Sequence, residues 1–341
     1  MSAAWQAAER VLTVSELCAY YRTRCSGVRR EVRAVDGVSL HVERNEIYGL
    51  AGESGCGKTT LIKTIVRGIR PPLVVAGGAV TFRFAGRDRD IYALDQRELE
   101  RIRWRHLSYI PQGSMNVLNP VRRLRQSFVD FAYRHIGRAM PEFLQRVESH
   151  LERVRLEPAV LDSYPHELSV GMRQRITIAL ASICRPDFIV ADEPTSALDV
   201  VVQKEVLGML RDVQQEIDSS MILVTHDIGV HANVTRRLGI MYAGRLVEEG
   251  LTAEVIRNPC HPYTSHLVTG LPRIGDMTQK RGLDGAPPNL ADPPAGCRFH
   301  PRCPLATATC RTESPPLVDV APGHRVACWV TAPPRSPVSV Q

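Results

Sequence analysis

A chain of 341 residues, 44% hydrophobic and 23% charged, has room for one large α/β domain and a smaller appendage. No apolar run approaches the roughly 18 residues of a membrane span, and Met1–Gln6 lacks the basic start and apolar stretch of a signal peptide, so a cytosolic protein is expected. The formal net charge of +7 suits nucleic acid, anionic lipid or a phosphate ligand, but the arginines are spread over Arg22–Arg33, Arg97–Arg105 and Arg122–Arg125 and read as solvated faces. Nine cysteines in a reducing compartment are poor disulfide candidates.

In chain order, Leu12–Tyr21 alternates loosely as a strand does, and Ala34–Val42 repeats the pattern after a basic loop. The two predict an antiparallel edge sheet. An aromatic near the first strand can stack on an adenine ring; Tyr20 and Tyr21 are the candidates, although an aromatic in a strand is more often core. Glu43-Arg44-Asn45-Glu46 predicts a turn, with Asn45 suited to a left-handed conformation.

The apolar segment Ile47-Tyr48-Gly49-Leu50-Ala51 leads into Gly52-Glu53-Ser54-Gly55-Cys56-Gly57-Lys58-Thr59, a complete G-x-x-x-x-G-K-[ST] phosphate-binding loop, followed by helical spacing over Thr60–Val66. Glycines at 52, 55 and 57 let successive N–H groups turn toward phosphate oxygens, and the helix N-terminus adds the positive end of its dipole. Lys58 reaches the β- and γ-phosphates and the Thr59 hydroxyl ligands Mg²⁺. A plain glycine turn would share the composition; the strand-loop-helix context is what the motif requires.

Pro71-Pro72 and Gly77-Gly78 punctuate the passage to a strand pair around Val80–Phe84 and Asp90–Tyr92. Helical patterns dominate from about Asp95 to Arg185, interrupted by Leu107-Ser108-Tyr109-Ile110-Pro111-Gln112, a strand ending in a polar loop. Helices are predicted over Val121–His135, Pro141–Arg155 and Ser169–Ile183, the last with Ser169 as N-cap and Pro186 beyond its end. Phe188–Glu193 then runs an apolar strand into two carboxylates. In a phosphate-loop protein one strand-end acid holds Mg²⁺ and a second polarises the attacking water; Asp192 fits the first role and Glu193 the second. Met221–His226 repeats the pattern with one imidazole, more often structural, but able at this position to contact the γ-phosphate. Strands alternating with helices, with the chemistry at strand ends, predict a three-layer α/β fold.

The loop at 52–59, Gln112, Leu168-Ser169-Val170-Gly171-Met172, the strand at 188–193, Ser196-Ala197-Leu198-Asp199 and His226 stand in the order found in ATP-binding cassette ATPases. The chain resembles that family from about Leu12 to Glu249. The resemblance implies a nucleotide-binding domain over 1–255, with an antiparallel β-subdomain and a helical subdomain inserted at about 95–187. It implies that Tyr21 stacks on adenine, that Gly52, Glu53, Ser54, Gly55, Cys56, Gly57, Lys58, Thr59 and Thr60 surround the phosphates, and that Thr59, Gln112 and Asp192 hold Mg²⁺. Glu193 would be the general base, His226 the switch histidine and Gln112 the Q-loop glutamine that also meets the membrane partner. Ser169, Val170, Gly171, Met172 and the D-loop Asp199 would face the nucleotide of an opposite cassette. The family's usual signature is Leu-Ser-Gly-Gly; here Val170 replaces the first glycine, and a side chain there can crowd close backbone approach to phosphate.

Asn258–Thr264 and Gly296–Pro304 resemble the C-terminal extension of oligopeptide and dipeptide importer ATPase subunits, which sets 256–341 apart as a small irregular extension. Its Cys297, Cys303, Cys310 and Cys328 lack the paired spacing of common zinc ribbons and the ferredoxin run, so spacing alone is a weak metal signal and four unrelated thiols are the plain alternative. A Pro-rich tail with little core of its own favours a staple. The resemblance implies a [4Fe–4S] cluster rather than Zn²⁺, with His300 and His324 as substitute ligands if the metal is zinc. The expected protein is the ATP-hydrolysing subunit of an importer at the cytoplasmic face of the cell membrane. Its implied partners are a second cassette, two transmembrane permease subunits and an extracytoplasmic solute-binding protein, with no nucleic acid. Peptides are the favoured solute. Oligosaccharides, nickel and opines are imported within the same family, and Gly113-Ser114-Met115-Asn116 departs from the acid-proline pair common in the peptide branch and resembles sugar-importing members. A soluble cassette ATPase acting on nucleic acid or the ribosome is the alternative from another class, opposed by the single phosphate loop and the lack of sustained heptads.

Overall fold

A computed structural model describes residues 9–25, 28–113, 117–137, 139–196, 198–270 and 283–332. Among them the strands are β1 (Arg10–Cys25), β2 (Val28–Glu43), β3 (Ile47–Ala51), β4 (Leu73–Phe84), β5 (Arg87–Asp90), β6 (Leu107–Ile110), β7 (Phe188–Asp192), β8 (Ser220–Val224), β9 (Arg237–Tyr242), β10 (Arg245–Leu251), β11 (Val318–Ala321) and β12 (His324–Val326). The chain divides into two compact units. The first holds Met1–Thr13, His41–Ile47 and Val80–Val224, the second Val14–Leu40, Tyr48–Ala79 and Thr225–Gln341.

In the first unit β6, β7 and β8 form a parallel sheet, with Ile110 opposite Ala191 and Asp192 opposite Val224. Every residue of β7 and β8 is buried. Both therefore read as unbroken apolar runs, because a parallel strand is covered on both faces. The end of β4 pairs antiparallel with β5, and Phe82 meets the edge of Phe188 at 5.3 Å. The helix Met140–Arg153 buries Phe143, Val147, His150 and Leu151, one stripe at helical spacing. The helix expected over Val121–His135 begins only at Leu124. Asn119 engages the N–H groups of Val121 (side chain, 3.2 Å) and Arg122 (carbonyl, 3.1 Å) in a turn instead. The helix then widens into a π-helical turn over Val129–Tyr133 and ends past Arg134–Ile136 at Gly137, φ +65°. Ser169 caps the helix Val170–Ser182 as predicted, its hydroxyl accepting the N–H of Met172 at 3.3 Å.

In the second unit β2, β1 and β4 lie side by side in that order. The basic segment expected as a loop is largely strand, with Arg22 paired to Glu31 at 2.8 Å. Gly77-Gly78, expected to break the chain, lies inside β4. Gly78, at φ +85°, passes so close to β1 that a Cβ would stand under 3.0 Å from the Glu16 backbone, so the glycine marks a close approach rather than a turn.

Beside these, β3 pairs in parallel with β9, and β10, β12 and β11 follow antiparallel. The extension, expected to be irregular, thus adds a hairpin to the sheet. Two buried carboxylates on β10 explain its seat. Glu249 accepts from the Tyr48 hydroxyl and Arg237, both at 2.8 Å, and from Nε of Arg325 at 2.9 Å. Glu248 accepts the N–H groups of Cys260 (2.7 Å) and His261 (2.8 Å) and lies 2.7 Å from Nε2 of His324. Buried carboxylates without such partners would be costly. The extension also has more core than its composition suggests: Tyr242, Tyr263 and Phe299 pack with ring centroids 4.7 to 5.5 Å apart, in a cluster with Ala51, Leu238 and Ile240.

Candidate active site

In the second unit β3 delivers the chain into the phosphate loop, and neighbouring backbone dictates its glycines. A Cβ on Gly52 (φ +150°) would stand under 3.0 Å from the carbonyl oxygen of Met241, and one on Gly57 (φ +109°) equally close to that of Ala34. The Gly244 N–H closes the loop on the Cys56 carbonyl at 2.8 Å. Lys58 opens the following helix, Lys58–Ile65, and its buried ammonium donates to the carbonyls of Gly52 (2.7 Å) and Glu53 (3.0 Å). A cation held over loop carbonyls can exchange them for stronger phosphate acceptors. Burial pushes the Cys56 thiol up, which leaves it inert rather than nucleophilic. The Tyr21 hydroxyl lies 3.1 Å from that of Thr60, so Tyr21 stands beside the helix that carries Thr59 and Thr60. Tyr20, the other stacking candidate, donates to Asp36 at 2.5 Å and is held by that bond. Ser54 and His226 are exposed.

The first unit gathers the strand-end acids. Asp192 ends β7 fully buried, 3.4 Å from the Tyr109 hydroxyl. Burial, followed by the Asp192 charge, pushes the Tyr109 hydroxyl above its usual range. Glu193 follows at φ +46°, a left-handed conformation uncommon outside glycine. Its N–H is held by the Val224 carbonyl at 2.9 Å, and Gln112 Nε2 donates to its Oε2 at 3.1 Å. Strained backbone fixed by two neighbours is typical of a residue whose position matters. The signature segment starts the helix Val170–Ser182. A Cβ on Gly171 would meet Val202 Cγ1 at 3.0 Å, and Val170 is half-buried. Asp199 caps the helix Val200–Ile217 through the N–H groups of Val201 and Val202, both 3.0 Å away. Val200 and Val201 themselves are 76% and 69% exposed. Ala197 of the D-loop and Ser114, Met115 and Asn116 lie outside the described residues.

Of the four C-terminal cysteines, Cys310 and Cys328 are buried and Cys297 and Cys303 half-buried. The Cys297 N–H donates to the Cys310 carbonyl at 2.9 Å. Burial pushes the Cys297 thiol up to about 11, and the thiols of Cys310, Cys328 and Cys303 add to the rise. Among the described residues, no three of these four sulfur atoms lie within 4.8 Å of one another. His300 places Nδ1 2.9 Å from the Cys297 carbonyl. His324 stands elsewhere: its donor atom lies within 4.8 Å of those of Glu248 and Cys260.

Two residues that the sequence did not single out reach the phosphate loop. Arg302, from the extension, forms an ion pair with Glu53, and the Tyr263 hydroxyl accepts the Glu53 N–H at 2.8 Å. Both residues sit in the segments that mark the C-terminal extension, but nothing in their spacing points to residue 53.

The model of the ABC transporter family matches residues 35–196, and that of the oligopeptide/dipeptide transporter C-terminal region matches 247–310. The dipeptide transport ATP-binding protein DppD of Caldanaerobacter subterraneus is 36% identical over 321 residues, covering 93% of this chain and 96% of its own length. DppD of Bacillus subtilis is 37% identical over 327 residues, with 94% and 95% covered. The oligopeptide transport ATP-binding protein AppF of the same species is 36% identical over 331 residues, with 94% and 97% covered. Among solved structures, the dimeric post-hydrolysis state of the ATP-binding cassette MJ0796 bound to ADP and Pi superimposes with a TM-score of 0.60 at 24% identity, covering 71% of this chain and 98% of that one. That likeness shows the cassette fold. With relatives matched nearly end to end, the chain belongs to the ATP-binding cassette transporter ATPases of the oligopeptide/dipeptide importer family.

Proposed function

We propose that the chain hydrolyses ATP to power peptide import, working at the cytoplasmic face of the membrane with a second cassette, two membrane-spanning subunits and a solute-binding protein. The observation that carries this reading is the end-to-end similarity, extension included, to proteins named for dipeptide and oligopeptide transport. No helix among the described residues is long and apolar enough to cross a membrane; the transport path is assigned to the partners. The working division is a cassette over 1–255 and an extension over 256–341.

In this reading Tyr21 would stack on adenine, the loop N–H groups and Lys58 would take the phosphates, and Thr59, Asp192 and Gln112 would hold Mg²⁺, which would neutralise charge on the phosphates. Glu193 accepts the proton of the attacking water as its oxygen bonds to the γ-phosphorus and the bond to ADP breaks. His226 contacts the γ-phosphate. Ser169, Val170, Gly171, Met172 and Asp199 serve the opposite cassette, for which the exposed Val200 and Val201 supply apolar contact area. Cys297, Cys303, Cys310 and Cys328 would hold a [4Fe–4S] cluster as a structural staple for a Pro-rich tail.

The test is to purify the chain with its membrane partners, reconstitute it in vesicles with the cognate binding protein, and measure ATPase activity and uptake of labelled solutes. Di- and oligopeptides should stimulate both. Stimulation by an oligosaccharide, nickel or an opine, with none by peptides, would overturn the assignment of solute.

A further inference from the structure

The phosphate loop is tied to the C-terminal extension through Glu53, by its carboxylate and its backbone N–H. Arg302 has only 7% of its side chain exposed. It gives Nη1 to Glu53 Oε2 at 2.8 Å and Nη2 to Oε1 at 3.0 Å, the two-pronged geometry that makes Arg–carboxylate pairs strong and directional. The fork is itself fixed. Nε donates to the Asp284 carbonyl at 3.2 Å, Nη1 lies 3.3 Å from the Tyr242 hydroxyl, and the guanidinium stands over the Tyr242 ring at 5.9 Å. Glu53 meanwhile has its N–H on Tyr263 and its carbonyl on Lys58. Each of its polar groups is therefore engaged, two of the three by residues C-terminal to 255.

An acid one residue into a phosphate-binding loop is an electrostatic liability. ATP brings several negative charges to that loop, and a free carboxylate there would repel them. Resting on the reading of 52–59 as the phosphate site, we propose that Arg302 is a positioning residue for nucleotide binding. By holding Glu53 in the bidentate pair it neutralises that carboxylate and keeps it away from the phosphates. Affinity for ATP then depends on the extension being in place, because Arg302 directly precedes Cys303, and its Nε is anchored on Asp284 of the same extension. The role concerns ground-state binding of ATP and loop order, so it should appear in KM and Kd rather than in kcat.

The test uses the assembled transporter, with ATP itself as probe: equilibrium binding, KM and kcat, and protease resistance of the extension. Arg302→Ala should weaken ATP binding about tenfold, with kcat at saturating ATP changed by about twofold or less. Arg302→Lys should lose less, since it keeps the charge without the fork. The decisive variant adds Glu53→Gln to Arg302→Ala: with the negative charge gone, most of the lost affinity should return. Parental affinity in Arg302→Ala, or a loss that Glu53→Gln does not recover, would overturn the proposal. Lys58→Ala tests the underlying phosphate site separately; ATP binding that survives it would sink that reading whatever the Arg302 variants do.

Discussion

Glu193→Gln separates proton transfer from positioning. Glu193 is held at φ +46° by its N–H bond to Val224 and by Gln112 at 3.1 Å from Oε2. A glutamine oxygen can accept the same bond from Gln112, so the variant keeps the geometry and loses only charge and basicity. A positioned general base is worth about 10² to 10⁴ in rate, which is about 3 to 5 kcal/mol of barrier. Turnover should fall by that factor while ATP affinity stays within about threefold, since the phosphate contacts are proposed for residues 52–59. The assay is phosphate release by the assembled transporter at saturating ATP, with binding measured in parallel. A companion variant checks the strain: Glu193→Gly removes a side chain from left-handed backbone, which should raise stability by about 1 kcal/mol while abolishing turnover. Parental hydrolysis by Glu193→Gln would refute the base assignment, and a less stable Glu193→Gly would refute the strain.

Three further outcomes follow from the same geometry. Gly57→Ala should abolish ATP binding and lower the melting temperature, because its Cβ would press on the Ala34 carbonyl at a φ of +109°; a variant that binds ATP normally would show that the loop has slack. Protein purified without oxygen should carry about four iron and four sulfide per chain. Cys303→Ser should lose both, along with the protease resistance of the extension, and weaken ATP binding no more than Arg302→Ala does; zinc alone would remove the cluster, and neither metal would remove the staple. His150, His231 and His261 are buried, and burial lowers each imidazole to about 4. Such groups are neutral when folded and take up a proton on unfolding below about 6.5, so stability is lost as pH falls from about 6.5 to about 4. His261 makes the case testable: its Nδ1 accepts the Tyr263 N–H at 3.1 Å and must stay unprotonated, beside Glu248 as the nearest charge. His261→Asn, which retains a capping acceptor, should flatten the acid limb by up to about 3 kcal/mol, as read from denaturant midpoints across that pH range.

The parts of the fold legible in the sequence are those whose cause is local. The glycines at 52 and 57, the Ser169 cap and the apolar runs of β7 and β8 each write their reason within a few residues. Gly78 misled because a glycine needed for close approach to β1 looks the same as one needed for a turn. The late start of the helix at Leu124 turned on Asn119 capturing two N–H groups, a competition that periodicity does not register. The β11–β12 hairpin was hidden for a different reason: its seat is two glutamates on β10 that look like ordinary surface residues until their partners arrive from elsewhere in the chain. In the candidate site, the motif residues were readable and the Arg302 clamp was not, since Arg302 and Glu53 are 249 positions apart.

Glu249 also sets a timetable for synthesis. Its partners are Tyr48, 201 residues earlier, Arg237, 12 residues earlier, and Arg325, 76 residues later. A nascent chain that has made β3, β9 and β10 has therefore brought together a buried acid and only part of its counter-charge, and the sheet holding the phosphate loop waits for residue 325 to emerge. Shortening the chain after β10 would leave Glu248 without His324 and Glu249 without Arg325, an arrangement a ribosome passes through only once and that a truncated gene product would keep. The β11–β12 hairpin is in this sense a late step in building this sheet, and a chain cut between β10 and β12 would carry every motif named above and fold poorly around them.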